Sequence, residues 1–367
     1  MEKPWQQRAR DTPDSIAGIV QENTVVGVKT DRSHEAGRCR ENPFNAIVVG
    51  GSSGMGFAAA QHFLARGGRV LLCSRSQSKL DAAKKRLDHE LLALDSPVPA
   101  QNEEDGAGRV QTRVLDNTDE AQVRAFFGSL EGERQWDALV VTALGRAPHG
   151  PFLELDVARA REAVEGKLWG PWYCAKYGAP KLRDGGAIVF CSGVLCRRPG
   201  LNCTVFLASF PCARLSFACG KVNRSLTRTI AQPLVAGNGG VEALTKALAL
   251  ELGPRLRVNC LAPGFFDTER YDHLPASRKD GMLEATADSL PLKTIGAASE
   301  AGAAIIFLAT SGFTTGVVLD IDGGHQIRQY SYPNDVYLQL KRQREATAAG
   351  ATPEGECPVL KKSKDNT

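Results

Sequence analysis

The chain has 367 residues, 43% of them apolar and 23% charged, with a net charge of +4. That is enough for one large α/β domain or two small ones around a sizeable core. No basic stripe interleaved with aromatics, no apolar run of membrane-spanning length and no apolar secretory core near the N-terminus occur, so neither nucleic acid nor a membrane is an expected partner. The ten cysteines are scattered, with no C-x-x-C pair. Structural zinc and a disulfide framework are therefore not expected, and a reducing, cytoplasmic setting without bound metal fits best.

Residues 1–43 are polar without sustained periodicity and read as a loosely ordered extension. The β-branched run Ala46-Ile47-Val48-Val49 then reads as a buried strand. It breaks into Gly50-Gly51-Ser52-Ser53-Gly54-Met55-Gly56 and a helix with apolar positions at spacings of three and four. Further strands are predicted at Val70–Cys73, Val110–Leu115, Ala138–Thr142, Ala187–Cys191, Arg257–Leu261 and Gly316–Ile321. Helices are predicted between them at about Lys79–Leu94, Asp119–Leu130, Asp156–Ala179, Val241–Leu252 and Ser299–Ala309. Alternating strands and helices give a single doubly wound parallel α/β sheet, a Rossmann fold over 44–330, with helices on both faces and right-handed crossovers. Ligands on such sheets bind beyond the carboxyl ends of the strands. After Tyr330 the chain turns polar and charged, and 331–367 read as a disordered tail.

The glycine turn carries the first chemistry. Glycine accepts positive φ and leaves no Cβ between backbone and phosphate, and the helix N-terminus offers unpaired N–H groups and a positive dipole end. Strand before and helix after is the context a dinucleotide site requires. An acidic residue closing the second strand would bind a ribose 2′-hydroxyl. Here Cys73-Ser74-Arg75-Ser76 has no carboxylate. Arg75 can pair with a 2′-phosphate and Ser74 can donate to it, which favours NADP over NAD as cofactor.

Together these residues resemble the short-chain dehydrogenase/reductase family from about Asn45 to Ile327. Val49-Gly50-Gly51-Ser52-Ser53-Gly54-Met55-Gly56 is similar to the family's T-G-x-x-x-G-x-G, with Val49 where Thr is usual. Asp116-Asn117 resembles the pair that meets the adenine, and Val141-Thr142-Ala143 the start of the N-N-A-G strand end. Pro263-Gly264 and Thr268 resemble the P-G-x-x-x-T segment on the nicotinamide side, and Asp322-Gly323-Gly324 the D-G-G after the last strand. The resemblance implies an oxidoreductase, with dimers or tetramers as the default assembly.

The family's catalytic Asn, Ser, Tyr and Lys are all replaced. The Asn position of N-L-x-G holds Lys167, the reactive Ser position holds Gly193 with Ser192 one step early, and Y-x-x-x-K aligns with Leu234 and Asn238. Tyr177 and Lys181 spell Y-x-x-x-K, but they precede the fifth strand, and Pro180 ends their helix. A desolvated Lys167 can serve as acid or base, and Ser192 and Asn238 can polarise a carbonyl, or all three can be structural.

Two stretches stand apart. Gly193 and Leu234 are separated by 41 positions, where the family usually has about a dozen; the excess, Val205–Gln232, has neither strand nor helix period. Val codons begin GT and Gln can be CAG, so a translated short intron from a eukaryotic, plausibly fungal, gene is the favoured reading and a functional lid its rival. Residues 265–292 resemble the family's substrate flap, with Phe265, Phe266, Tyr271, Leu274, Met282 and Leu290 as an apolar wall and Arg270 and Arg278 available to an anion. The expected function is NADPH-dependent hydride transfer to or from a small carbonyl or alcohol, with fungal secondary metabolism as the setting. The alternative is an inactive NADPH-binding sensor or scaffold.

Overall fold

A computed structural model describes residues 15, 16, 19, 44–93, 108–130, 135–143, 156–198 and 232–327, the side chains of 232–234 excepted. The insertion up to 231, the tail 331–367 and most of the extension lie outside these residues. The chain divides into units 1–326 and 327–367, and everything below belongs to the first.

The strands are β1 (Ala46–Val49), β2 (Val70–Ser74), β3 (Val110–Val114), β4 (Trp136–Val141), β5 (Leu182–Cys191), β6 (Leu256–Pro263), β7 (Phe266–Asp267), β8 (Gly296–Ala297) and β9 (Val318–Ile321). The helices are α1 (Gly54–Ala65), α2 (Gln77–Leu92), α3 (Glu120–Gly128), α4 (Val157–Val164), α5 (Gly170–Gly178), α6 (Gln232–Leu252), α7 (Ala276–Ser289) and α8 (Ala298–Thr310). Seven strands form one parallel sheet in the order β3-β2-β1-β4-β5-β6-β9. Its order reverses between β1 and β4, which places the switch point beside Gly50–Gly56. The register sets Val49 against Cys73 and Val141, Val141 against Phe190, and Cys191 against Leu261. One carboxyl edge therefore gathers the glycine turn, Ser74, Thr142, Ser192 and Pro263.

All four residues of β1 are buried, because both faces of a parallel sheet are covered. Alternate side chains leave on opposite faces. Val48 joins Phe63 and Leu64 of α1, Leu80 of α2 and Ile305 of α8, while Ile47 and Val49 join Phe127 of α3, Cys174 of α5 and Val241 of α6.

The N-terminal extension is not loosely ordered throughout. Ile16 and Ile19 are fully buried; Ile16 packs into the core beside α1 and α2, and its N–H donates to Glu90 at 3.1 Å. Two apolar residues three apart were too short a signal to mark them as core from sequence.

Two further differences bear on the site. The helix expected from Val241 starts nine residues earlier, at Gln232. Gln232, the last residue of the stretch 205–232, is thus the first residue of α6. Residues 232–240 (QPLVAGNGG) read poorly as helix, yet Pro is tolerated in a first turn. The glycines let α6 come close: a Cβ on Gly237 would lie 2.9 Å from the Lys167 side chain, and one on Gly240 3.0 Å from Leu168. The long helix expected over 156–179 is also interrupted, by a π-helical turn at Glu165–Trp169. Such turns concentrate at functional sites, and this one holds Lys167.

The flap is rooted by a two-stranded parallel pairing of β7 with β8, Phe266 opposite Gly296. Its apolar residues pack on each other: Met282, Leu283, Ala287, Leu290 and Ile295 are buried, and Phe265 stacks on Tyr271 at 5.2 Å.

His62 on α1 shows how tightly α1 and α8 meet. Its Nε2 lies 3.1 Å from the Ser299 carbonyl, which can only accept, so Nε2 carries the proton. Burial lowers its pKa from 6.5 to about 4, against the partial opposition of that hydrogen bond. Below pH 6.5 the unfolded chain binds a proton that the folded one refuses, so stability falls as pH drops towards 4 and the loss saturates below. The full loss is about 3 kcal/mol. Urea titrations at pH 7 and 4.5 are expected to show this component vanish in His62→Gln.

Candidate active site

The glycine turn is built for close approach. Gly50 has φ +91, and a Cβ there would lie 2.6 Å from Ala143 N. A Cβ on Gly56 would lie 2.4 Å from the Gly50 carbonyl oxygen and 2.5 Å from Thr142 Oγ1. Thr142 Oγ1 donates to the Val49 carbonyl at 3.3 Å, and the N–H groups of Thr142 and Ala143 both reach that carbonyl. Ser52, Ser53 and Met55 are half-buried at the mouth of the turn. Ser53 has an extended backbone and does not cap α1 with its own side chain.

The other cofactor candidates lie across the carboxyl edge. Ser74 Oγ accepts from Ser76 N at 3.4 Å. Arg75 is exposed, and no hydrogen bond or ion pair to another described residue ties it down. Asp116 Oδ1 accepts from the N–H and hydroxyl of Thr118 at 3.0 and 2.8 Å. Asn117 is buried against Gly170, and its Nδ2 finds no acceptor among the described residues. Pro263 ends β6; Gly264 N donates to the Ile321 carbonyl at 2.8 Å, and a Cβ on Gly264 would lie 2.6 Å from Asp322 Cα. Thr268 lies beside the turn, its methyl 3.4 Å from where a Cβ on Gly54 would be.

The three catalytic candidates meet at the end of β5. Lys167 is 3% exposed, and its Nζ donates to the carbonyls of Cys191 and Ser192 at 2.8 and 3.0 Å. Burial holds its pKa below the ordinary lysine value and the Arg270 charge adds to this, while the thiols of Cys191, Cys260 and Cys196 push the other way. Asn238 is 2% exposed; its Nδ2 lies 2.9 Å from where a Cβ on Gly193 would be, and its Oδ1 has no partner among the described residues. The amide of Asn238 thus fills the space beside the residue where the family carries its serine. Ser192 is buried, and its single hydroxyl proton goes to Glu242 at 2.9 Å, so what it turns towards Lys167 is its carbonyl. The side chain of Leu234 lies outside the described residues. Tyr177 and Lys181 do not join the three candidates: Tyr177 donates to Glu120 at 2.6 Å and Lys181 to the Leu130 carbonyl at 3.0 Å.

Two carboxylates in the site went unnoticed in the sequence. Glu242 receives Ser192 Oγ, Cys196 Sγ at 3.1 Å and Arg197 at 3.2 Å, and with burial it pushes the Cys196 thiol up to about 11. Glu269 accepts from Gly54 N at 2.7 Å. The available signal for Glu269 was its place directly after Thr268, where a negative charge faces an anion-binding turn.

Comparison with known proteins agrees with this geometry. The short chain dehydrogenase family model matches residues 45–210, and a second model of the same kind, described as enoyl-(acyl carrier protein) reductase, matches 230–326. The chain belongs to the short-chain dehydrogenase/reductase family. It is an oxidoreductase of that family, whose members bind NAD or NADP and act on small molecules. A short-chain dehydrogenase/reductase from Acremonium sp, ucsE, is 29% identical over 77% of this chain and 94% of its own length. A small-chain dehydrogenase in complex with NADPH is 28% identical, covering 77% of this chain and 98% of its own, with a TM-score of 0.53. An NADPH-bound short-chain oxidoreductase from Pseudomonas aeruginosa, described as containing an atypical catalytic center, is 25% identical, with coverages of 78% and 98% and a TM-score of 0.60. The residues present fit a dinucleotide: the turn has no room for a Cβ at Gly50 or Gly56, and Asn117, in the pair that resembles the family's adenine-side residues, holds a buried donor with no acceptor among the described residues. Among the described residues no helix is long and apolar enough to cross a membrane.

Proposed function

We propose that this oxidoreductase uses NADPH to interconvert a small carbonyl compound and its alcohol through a displaced proton-handling group centred on Lys167. The observation that carries the reading is the buried Lys167 ammonium on the carbonyls of Cys191 and Ser192, at the carboxyl edge that also holds the glycine turn. Relative to the family pattern, lysine and asparagine have exchanged places: Lys167 stands where Asn is usual and Asn238 where Lys is usual. When bound, the nicotinamide supplies or accepts hydride. Lys167 holds a proton on Nζ with a lowered pKa, as proton transfer near neutral pH favours. Asn238 Oδ1, buried with no partner among the described residues, offers an acceptor to a ligand hydroxyl. A setting in fungal secondary metabolism rests on the family resemblance alone.

The cofactor preference rests on Arg75. A charge-assisted contact to a 2′-phosphate is worth about 1.5–3 kcal/mol, or roughly 10–100-fold in affinity. Arg75→Ala is expected to weaken NADPH binding by about that factor and leave NADH binding unchanged; fluorescence titration with both nucleotides checks it.

The competing reading, a sensor or scaffold without turnover, draws on the same Lys167: an ammonium tied to two carbonyls is also a good structural group. Titrating NADPH and NADH, then following NADPH consumption over a panel of ketones and aldehydes, separates the two. Tight NADPH binding with turnover supports the enzyme, and binding without turnover across a broad panel supports the sensor. The two family matches stop at 210 and resume at 230, in keeping with our proposal that Val205–Gln232 is translated intron. Both assays therefore belong on the full chain and on one lacking that stretch, and sequencing the mature transcript tests the origin directly.

A further inference from the structure

We infer that Glu269 is a cofactor-gating residue: its carboxylate occupies the N-terminus of α1 and must leave before a dinucleotide phosphate can use that donor. The inference rests on the dinucleotide reading of the glycine turn. Gly54 N, the first residue of α1, donates to Glu269 Oε2 at 2.7 Å across 215 residues of sequence. Neither burial nor packing requires this contact, since Glu269 is exposed. The site is also short of a local cap, because Ser53 does not supply one. A helix N-terminus attracts any anion, carboxylate or phosphate, through the same N–H groups and the same dipole end. Two anions cannot share that donor, and an unmoved Glu269 would add like-charge repulsion against an arriving phosphate.

Glu269 is also mechanically linked to the substrate flap. It opens the short helical turn Glu269–Tyr271; Tyr271 stacks on Phe265, and Lys279 of α7 pairs with Asp267 and Asp272 at 3.0 Å each, on either side of that turn. Arg270, next in the chain, is the residue whose charge acts on Lys167. Displacing Glu269 thus loosens one anchor of the flap and disturbs the surroundings of Lys167, so cofactor arrival is coupled to the flap.

NADPH fluorescence titration and trypsin digestion of the full chain with Glu269→Gln and Glu269→Ala test this. Removing the competing charge is expected to tighten NADPH binding by about 2- to 5-fold, the range of an exposed charged contact. Without cofactor, cleavage after the exposed Arg270 and Arg278 is expected to quicken several-fold in Glu269→Ala. Unchanged or weaker NADPH binding in both variants, or equal cleavage rates, overturns the gate while leaving the cofactor site intact. If neither wild type nor variants bind NADPH, the dinucleotide reading itself falls and takes this inference with it.

Discussion

Lys167→Met is expected to lower kcat/KM by about 10²–10⁴-fold, the usual contribution of a positioned proton-transfer group, while NADPH binds within a few-fold of wild type. Methionine matches the length of the lysine stem, so Gly237 of α6 can still close on it. The stability balance has two opposing parts. Removing a buried charge is favourable, but the carbonyls of Cys191 and Ser192 each lose their Nζ partner. The pH dependence isolates the first part. Burial lowers the folded-state pKa of Lys167 below 10.5. Below the folded pKa the cost of the buried charge is fully present. As pH rises from there towards 10.5, the folded state gives up its proton before the unfolded chain does, and the cost disappears. The stability of Lys167→Met relative to wild type is therefore expected to fall between neutral and alkaline pH, measured by urea denaturation at pH 7 and 10. Comparing the two proteins removes the part of the high-pH loss that the buried thiols contribute independently of Lys167; Cys191 and Cys260 also feel its charge. Full turnover in Lys167→Met would place proton transfer elsewhere in the site.

What could be read beforehand followed from chain-local physics. Ala46–Val49 with Gly50–Gly56 was legible because β-branched residues, glycines and a helical period lie next to one another, and each constrains the others. The carboxyl edge was legible once the strands were ordered, since a parallel sheet aligns its strand ends. What stayed hidden depends on contacts between distant segments. The early start of α6 comes from Gly237 and Gly240 seating on Lys167 and Leu168; local propensity counts those glycines against a helix. The π-helical turn at Lys167 has no composition signal of its own. The bonds from Ser192 to Glu242 and from Gly54 to Glu269 span 50 and 215 residues, and a single sequence holds no record of such pairings. Lys167 shows the boundary most clearly. Its position was readable by matching N-L-x-G, but its depth and its two carbonyl partners decide its chemistry, and those belong to the packed structure.

The glycine turn gives a second large effect with an internal control. Gly56→Ala is expected to weaken NADPH binding at least about tenfold and to cost about 1–3 kcal/mol of stability, the range for a forced overpacking. The new methyl would sit 2.4 Å from the Gly50 carbonyl oxygen and 2.5 Å from Thr142 Oγ1. Neither can retreat cheaply. Gly50 N is bonded to the Cys73 carbonyl at 2.8 Å and Thr142 N to the Val49 carbonyl at 2.9 Å, so both are held by the sheet. The helix must move instead, carrying the N–H groups proposed to receive the phosphates away from the turn. For a domain of this size such a cost lowers the melting temperature by roughly 2–10 °C. Gly128→Ala, at the end of α3, is the control: nothing lies within 4 Å of the added Cβ, and alanine is the better helix former. The same chemical change should therefore leave that variant at or slightly above wild-type stability with unchanged NADPH affinity. Equal melting and equal affinity in the two variants would mean that α1 does not press against the Gly50 turn. The placement of the dinucleotide there would then lose its steric argument.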